Sequence, residues 1–330
     1  MKNRRDSLHM KRAFALAERV SARAAAPNPR VGCVLVKGGR VVGWGAHERA
    51  GGPHAEAEAL QRAGARARGA AAFVTLEPCA DFPGKRTPSC ARALAAAGVR
   101  RVVFAALDAD PRVRGRGARL LRRAGVKTES APGFAERALS LNRGYVWRHR
   151  RGRPWVVMKT ALSLDGRAAA ASGRSRWITG PEARRAVRRL RAELDAVAVG
   201  AGTALADDPA LTAHGAGPDP LRVVFAGRRE LPPALRLFRD GPPAIVYRIK
   251  RPSDLRGALR DLAARGVGTL LLEGGPRIHA AFLRAGLVDE ARVFLSPKLL
   301  SGADDPNRAP RLRAPRLSRV GSDWLIQGEL

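Results

Sequence analysis

The chain has 330 residues, of which 45% are hydrophobic and 27% charged, and its formal net charge is +32. This length and composition predict a soluble globular protein with two ordinary domains or one large barrel. They exclude a membrane protein, because no stretch approaches the ~20 consecutive apolar residues of a spanning helix. The N-terminal segment lacks the apolar core of a signal peptide, and three cysteines do not make a disulfide framework. We therefore expect a cytoplasmic location and no membrane contact.

The positive charge is mostly arginine. Only eight of the 61 basic residues are lysine, and the arginines are dispersed over every segment, which is typical of GC-rich coding. A nucleic-acid surface would set such charge against phosphates, but five Trp and two Tyr offer few rings to stack on bases. We expect attraction for small phosphorylated ligands and no specific nucleic-acid partner.

The first half of the chain alternates strand and helix patterns. β-branched residues on both sides of Gly38-Gly39 predict a hairpin, and Gly51-Gly52-Pro53 suits a loop that leads into a helix. The predicted elements are strands 31–36 and 40–44, a helix 54–63, a strand 71–76, a helix 89–97 and a strand 99–107. This order predicts an α/β sandwich with helices covering a sheet.

The second half repeats the alternation, which favours a mostly parallel sheet with crossover helices. Arginine-rich residues 134–153 are predicted to join the two parts, and we divide the chain into domains 1–145 and 146–330. The predicted elements of the second part are strand 155–160, helix 182–194, strands 196–199, 222–225, 244–247 and 268–272, and a helix after Glu273-Gly274-Gly275-Pro276.

A candidate metal site lies in the first half. His54, Cys79 and Cys90 supply one imidazole and two thiolates, which are three zinc ligands and leave a fourth position for water. Glu56 is placed to carry a proton from that water to a substrate. The order His-x-Glu followed by Pro-Cys is that of zinc-dependent base deaminases. The sequence therefore predicts one Zn²⁺ per chain, whereas Cys33 lies in an apolar strand and is predicted to be core.

Ten residues separate the two cysteine ligands, whereas nucleic-acid and nucleoside deaminases usually have two there. The loop that ends in Gly84-Lys85-x-Thr87-Pro88-x-Cys90 resembles the deaminases of the riboflavin pathway, as do Pro27-Asn28-Pro29, Gly45-Ala46-His47 and Val74–Cys79. The resemblance implies a cytidine-deaminase-like three-layer sandwich. It also implies that Asn28, His47 and Lys85 line the pocket for a pyrimidine and its ribose phosphate. Ala80-Asp81-Phe82 departs from the family, which has histidine there.

The second half resembles the reductase part of the same bifunctional riboflavin-pathway enzymes. The matching segments are 159–166, 175–180, 199–203, 207–212 and 273–276. The resemblance implies a dihydrofolate-reductase-like domain that binds NADPH through Ala161, Trp177, Thr203, Asp207, Gly275, Pro276, Arg277, Ile278, His279, Ala280 and Ala281. It implies a substrate site formed by Ser175, Arg191, Leu211, His214 and Glu273. His214 replaces a family arginine, and Ala226-Gly227 replaces an Asp-Ser pair.

The resemblance implies two reactions on small phosphorylated pyrimidines in a homo-oligomer. The first is hydrolytic deamination of 2,5-diamino-6-ribosylamino-4(3H)-pyrimidinone 5′-phosphate, and the second is NADPH-dependent reduction of the ribosyl group to ribityl. Two alternatives remain open at this point. A nucleic-acid base deaminase with a basic auxiliary domain would use the charge of +32, and a binding protein on a degenerate scaffold would explain Asp81, His214 and Ala226.

Overall fold

The computed structural model describes residues 4–83, 88–320 and 323–329. The chain forms two compact units, Met1–Trp155 with Arg256–Gly268, and Val156–Leu255 with Thr269–Leu330. No helix in these described ranges is long and apolar enough to cross a membrane.

The first unit is built on a five-stranded mixed sheet with the order β2-β1-β3-β4-β5. Strand β1 is antiparallel to β2 and β3, while β3, β4 and β5 are parallel. The elements are α1 (Arg4–Glu18), α2 (Ala22–Ala25), β1 (Gly32–Lys37), β2 (Arg40–Ala46), α3 (Ala55–Ala63), β3 (Ala71–Val74), α4 (Cys90–Ala96), β4 (Arg101–Phe104), α5 (Arg116–Arg123), β5 (Lys127–Ser130), α6 (Ala135–Leu141) and α7 (Arg143–Arg151).

Alternation along β1 gives the sheet a core on each face. Cys33 and Leu35 belong to a buried cluster with residues of α3, α4 and α5, whereas Val34 and Val36 belong to a second cluster with residues of α1 and α6. The sheet is therefore the middle of three layers, which confirms the predicted sandwich and the core position of Cys33.

Helix α3 packs unusually close to β2, and two glycines allow this. A Cβ atom on Gly43 would lie 2.2 Å from the Ala59 carbonyl oxygen, and one on Gly45 would lie 2.4 Å from the Ala55 carbonyl oxygen. Any larger residue would push the helix away from the sheet. The close contact fixes the first turn of α3, where two of the candidate site residues lie.

The second unit is built on a six-stranded sheet with the order β11-β6-β10-β7-β8-β9 and a separate two-stranded hairpin. The pairs β11–β6, β10–β7, β7–β8 and β8–β9 are all parallel, which confirms the predicted mostly parallel sheet. The elements from Trp155 onwards are β6 (Trp155–Ser163), α8 (Pro181–Glu193), β7 (Ala196–Gly200), α9 (Ala201–Asp207), β8 (Leu221–Ala226), α10 (Arg236–Arg239), β9 (Ile245–Arg248), α11 (Pro252–Ala264), β10 (Thr269–Glu273), α12 (Pro276–Arg284), β11 (Glu290–Ser296), β12 (Arg313–Val320) and β13 (Asp323–Glu329). Most of α11 belongs to the first unit, because Arg256–Gly268 group with it.

Residues 134–153, which the sequence predicts to join the two parts, are helical for most of their length. These residues form α6 and α7, which belong to the first unit. Ala138, Asn142 and Val146 recur every four residues and are buried, and the Asn142 side chain accepts from the Arg30 amide (2.7 Å) and donates to the Arg30 carbonyl (3.0 Å). Arginines occupy positions between these buried residues, and the apolar residues of the buried face are small. The sequence therefore shows no clear amphipathic helix pattern here.

Candidate active sites

Two helix starts and a loop bring the predicted zinc ligands together. His54 is the N-cap residue of α3, and Cys90 is the first residue of α4. Cys79 is held from the other side, because the Ser89 hydroxyl donates to its carbonyl oxygen (2.9 Å) and the Cys90 amide donates to its Sγ atom (3.4 Å). His54 Nδ1 lies 3.5 Å from Cys79 Sγ and 3.2 Å from Cys90 Sγ. The structure therefore brings these three residues together.

The geometry fits a zinc ion. Zinc–sulfur and zinc–nitrogen bonds of about 2.3 and 2.0 Å at tetrahedral angles separate the ligand atoms by about 3.5 Å, and all three ligand atoms here lie within 4.8 Å of one another. Hydrogen bonding with Cys90 and then with His54 lowers the pKa of the Cys79 thiol to about 4. The thiolate, which is the form that binds metal, is therefore favoured.

Glu56 lies in the first turn of α3 and is only 3% exposed. Burial raises the pKa of its carboxyl group to about 7, and the nearby Cys79 thiolate adds to this while His54 opposes it. A carboxyl group that titrates near neutral pH can both accept and return a proton. The position and environment of Glu56 are those of an acid–base group beside the ligands.

The sequence analysis missed Glu77, which anchors the segment carrying Cys79. Its buried carboxylate accepts hydrogen bonds from the backbone amides of Gly115 (2.8 Å), Ala118 (3.0 Å) and Asp108 (3.3 Å). The first two amides belong to the start of α5, where unpaired N–H groups favour a carboxylate. These partners lie 31 to 41 residues away in sequence, so no local sequence pattern indicates them.

Two predicted pocket residues lie next to the ligands. The His47 ring lies 5.2 Å from the His54 ring, centroid to centroid. Its Nδ1 atom is 2.9 Å from the Pro53 carbonyl oxygen, and its Nε2 atom is 3.1 Å from Asn28 Nδ2. The carbonyl requires Nδ1–H to donate, so Nε2 accepts from the amide. Burial, the main cause, lowers the pKa of His47 and favours this neutral form. Lys85 lies outside the described residues.

A second acidic group follows β4 on the same edge of the sheet as Cys79. Asp108 is 5% exposed and accepts a hydrogen bond from the Tyr145 hydroxyl (2.7 Å). Burial raises the pKa of Asp108 to about 6. The sequence pattern did not indicate this residue, although it follows the parallel strand β4, and ligands of open α/β sheets bind beyond the carboxyl ends of such strands.

The predicted substrate residues of the second unit centre on one buried ion pair. Arg191 Nε and Nη2 donate to the Glu273 carboxylate (2.6 and 3.0 Å), and Arg191 Nη1 donates to the Thr212 carbonyl (3.0 Å). Although burial alone would raise it, the charge of Arg191 holds the pKa of Glu273 below its usual range. Burial is the main cause that lowers the pKa of His214, and the charge of Arg191 adds to it.

Three further residues of the second unit lie on β6 or on loops. Lys159 is half-buried on β6, and desolvation lowers the pKa of its amine, with Glu273 raising it and Arg191 lowering it further. Leu211 has a buried side chain and a positive φ of 54°, so only its backbone can face a ligand. Ser175 is half-buried in the loop between β6 and α8.

The predicted cofactor residues gather partly at the start of α12. Gly275 is the N-cap residue of this helix, and its amide donates to Thr203 Oγ1 (3.0 Å). A Cβ atom on Gly274 would lie 2.6 Å from Ile278 Cγ2. A glycine is therefore required here, and no side chain covers the backbone at this position. His279 is buried, and its Nε2 atom has no hydrogen-bond partner within the described ranges.

The other predicted cofactor residues lie on different segments. Trp177 is 50% exposed, and the guanidinium groups of Arg176 (5.7 Å) and Arg184 (4.6 Å) lie close to the centroid of its ring. Arg176 donates to the Asp207 carbonyl (2.5 Å), which links the loop to the end of α9. Ala161 lies in β6. A bare glycine turn, an exposed aromatic ring and two guanidinium groups fit a ligand with rings and phosphates.

Comparison with known proteins agrees with both sites. Residues 3–106 match the cytidine and deoxycytidylate deaminase zinc-binding region, and residues 154–326 match the RibD C-terminal domain. The chain is 38% identical to the riboflavin biosynthesis protein RibD of Escherichia coli, with 96% of this chain and 97% of that protein covered. It is 42% identical to RibD of Mycobacterium tuberculosis, with 91% and 90% covered.

Two solved structures have the same fold over nearly the whole chain. RibD of Acinetobacter baumannii matches with a TM-score of 0.82 and 36% identity over 98% of each chain. A diaminohydroxyphosphoribosylaminopyrimidine deaminase/5-amino-6-(5-phosphoribosylamino)uracil reductase of Thermotoga maritima matches with a TM-score of 0.77 and 31% identity, covering 98% of this chain and 97% of that one.

The fold and the sites define a bifunctional enzyme in which a deaminase domain precedes a reductase domain. The chain belongs to the RibD family and acts in riboflavin biosynthesis. These matches confirm the family that the sequence resembles and the predicted fold class. The alternative of a nucleic-acid deaminase with a basic auxiliary domain fails, because that second domain matches the RibD reductase.

Proposed function

We propose that residues 1–145 hydrolyse the 2-amino group of 2,5-diamino-6-ribosylamino-4(3H)-pyrimidinone 5′-phosphate, and that residues 146–330 then reduce its ribosyl group to ribityl with NADPH. The observation that carries the first step is the convergence of His54, Cys79 and Cys90 beside the buried Glu56. The Thermotoga maritima structure is described as a deaminase and reductase acting on such ribosylaminopyrimidine phosphates, which supports the choice of substrate.

The deaminase step depends on Glu56. His54, Cys79 and Cys90 would hold one zinc ion, which supplies a water that ionises near neutral pH. Glu56 accepts a proton from the attacking water and delivers it to the pyrimidine ring nitrogen, and a second transfer lets ammonia leave. The carboxyl pKa of about 7 suits both directions of transfer.

The pyrimidine is oriented by residues next to the ligands. His47 accepts from the Asn28 amide and donates to Pro53, so the amide of Asn28 has one defined orientation and presents its oxygen as an acceptor. We assign the phosphate to Lys85, whose charge is the binding group that the family resemblance implies. Because His47 is neutral, its ring adds no positive charge beside the zinc ligands.

The reductase step uses a preorganised polar patch. A bound nicotinamide supplies the hydride, and we propose that Ala161, Trp177, Thr203, Asp207 and residues 275–281 hold the cofactor. Ser175, Leu211, His214 and Glu273 bind the substrate. Arg191 uses three of its five N–H groups on Glu273 and Thr212, which leaves two for the substrate phosphate.

The direct test incubates the purified protein with the diaminopyrimidine phosphate, with and without NADPH. We expect ammonia release without NADPH, and formation of the ribityl product only when NADPH is added. NADH in place of NADPH should give slower reduction. Release of ammonia from a polynucleotide at a comparable rate would contradict the proposed substrate, and absence of ammonia with zinc bound would contradict the deaminase assignment.

A further inference from the structure

The Trp177 loop, residues 164–180, joins β6 to α8, and its residues, all of which are described, form turns and bends without a regular helix or strand. It carries the exposed ring of Trp177. Long loops without secondary structure of their own are usually functional or disordered. A ring on a loose loop binds a ligand weakly, because ordering the loop on binding costs free energy that a preorganised loop does not lose. The contacts that order this loop therefore determine how well it can bind.

The beginning of the Trp177 loop is fixed by the 298–309 segment, which follows β11. The Asp165 carboxylate accepts hydrogen bonds from the backbone amides of Leu300 (2.9 Å) and Ser301 (2.6 Å). These bonds and that from the Ser301 hydroxyl hold the pKa of Asp165 below its usual range, although burial opposes them. The carboxylate thus anchors the segment to the start of the loop.

The end of the loop packs against the same segment. Ile178, Leu300 and Ala309 form a buried apolar cluster. The Asn307 side chain donates to the Arg176 carbonyl (3.4 Å). Loop and segment belong to the second unit, and these contacts at both ends of the loop make the two pack as one body.

Lys298 connects this body directly to the Trp177 backbone. The Lys298 Nζ atom donates to the carbonyl oxygens of Trp177 and Pro306, both at 2.8 Å. An ammonium group has three N–H donors, and hydrogen bonds from a charged donor are about twice as strong as neutral ones. Because the first carbonyl belongs to the residue that carries the ring, this contact restricts the backbone from which the ring projects.

The charges around Lys298 make its position unfavourable for a cation. Burial lowers the pKa of its amine most, and the charges of Arg311 and Arg184 lower it further, while Asp305 opposes them. Arg184 is also the guanidinium group 4.6 Å from the centroid of the Trp177 ring. A lysine held among arginines costs electrostatic free energy, and such perturbed groups concentrate at functional sites.

We propose, on the basis of the cofactor role proposed above for Trp177, that Lys298 is a positioning residue of the reductase site and fixes Trp177 in the orientation that binds the nicotinamide cofactor. Lys298 acts through Trp177 rather than on the cofactor, because its amine already donates to two backbone carbonyls. Without this amine both carbonyls lose a donor, and the ring has to be ordered when the cofactor binds.

The first experiment measures NADPH binding to the full chain by calorimetry. Lys298→Met keeps an unbranched apolar side chain without the charge and should weaken binding by about 10-fold, because preorganisation is lost. Its KM for NADPH should rise by more than its kcat falls. Lys298→Arg, which keeps N–H donors, should lose less affinity than Lys298→Met. Lys250→Met, at an exposed lysine, should bind as the wild type does. Wild-type affinity in Lys298→Met would overturn the inference.

A double variant distinguishes action through Trp177 from direct contact with the cofactor. Trp177→Ala alone should weaken NADPH binding, and Lys298→Met added to it should cause little further loss, because residues that act as a unit are not additive. Losses that simply add would show that Lys298 acts elsewhere, and would overturn the inference. Wild-type NADPH affinity in Trp177→Ala would instead contradict the proposed cofactor site itself.

A measurement without cofactor tests the order of the ring directly. The difference in emission between a chain and its Trp177→Phe counterpart isolates this ring among the five tryptophans. Acrylamide should quench this emission more strongly in Lys298→Met than in the wild type, because the ring moves more freely. Ammonia release by the first unit should stay unchanged. Equal quenching in both chains would mean that the ring is ordered without Lys298, and would overturn the inference.

Discussion

The two candidate sites differ in how closely their predicted residues cluster in space. In the first unit, three ligand atoms lie within 4.8 Å of one another, two at the starts of α3 and α4 and one in the loop after β3. In the second unit, the predicted residues lie on several strands, helices and loops, and the side-chain hydrogen bonds between them in the described ranges include Arg191–Glu273 and Gly275–Thr203. A site that binds one ion fixes the identity and position of each side chain, whereas a site for an extended cofactor uses backbone shape and tolerates many residues.

The largest expected effect separates the two activities at Glu56. Glu56→Gln should lower deamination by ~10²–10⁴-fold, because the amide cannot accept and return a proton, while zinc content stays at one per chain. Ammonia release and metal analysis of the same preparation check both parts. Glu58→Gln on the same helix, whose carboxylate pairs with the exposed Arg62, should keep normal activity. A Glu56→Gln enzyme with wild-type ammonia release would remove Glu56 from the mechanism.

A ligand substitution should act on the metal itself. Cys79→Ser should weaken zinc binding by more than ~100-fold, since even residues that only orient a ligand are worth 10–100-fold. Competition with a chelator measures this. Cys33→Ser gives the matched control, because Cys33 is buried in the sheet core and is not one of the three converging ligands. Equal zinc retention by both variants would contradict the ligand assignment.

How well each region could be predicted depends on how far apart in sequence its contacting residues lie. His54, Glu56 and Cys90 were found from sequence because each lies at a helix start and belongs to one short motif. Glu77 was missed because its partners begin 31 residues later. Helices α6 and α7 were missed as elements because their buried face is made of small and polar residues, Ala138 and Asn142 among them.

The second unit should respond to pH through its ion pair. The folded pKa of Glu273 is held down by Arg191, so the pair stabilises fully above the unfolded glutamate pKa of about 4.3 and loses this contribution as pH falls through the lower folded pKa. Glu273→Gln should cost ~3–5 kcal/mol at neutral pH, because it leaves Arg191 buried without its counter-charge. Urea unfolding at several pH values measures both effects. A cost that does not shrink towards low pH would contradict this account.

The smallest expected effect tests the anchor of the Cys79 segment. A Cβ atom on Gly117 would lie 1.8 Å from the Pro78 carbonyl oxygen, so Gly117→Ala should destabilise the first unit by ~1–3 kcal/mol and weaken zinc binding. Gly133→Ala has open space around it and should change neither. Thermal unfolding with and without a chelator distinguishes the two variants. A Gly117→Ala chain as stable as wild type would mean that α5 does not position Cys79.

The central claim is that two independent sites share one chain. Its most direct test is the rate of NADPH oxidation by Glu56→Gln when it is given the already deaminated substrate. Because Glu56 belongs to the first unit and every predicted cofactor residue to the second, the account predicts the wild-type rate of reduction. Loss of reduction in this variant, with zinc and fold retained, would show that both reactions use one site and would contradict the account.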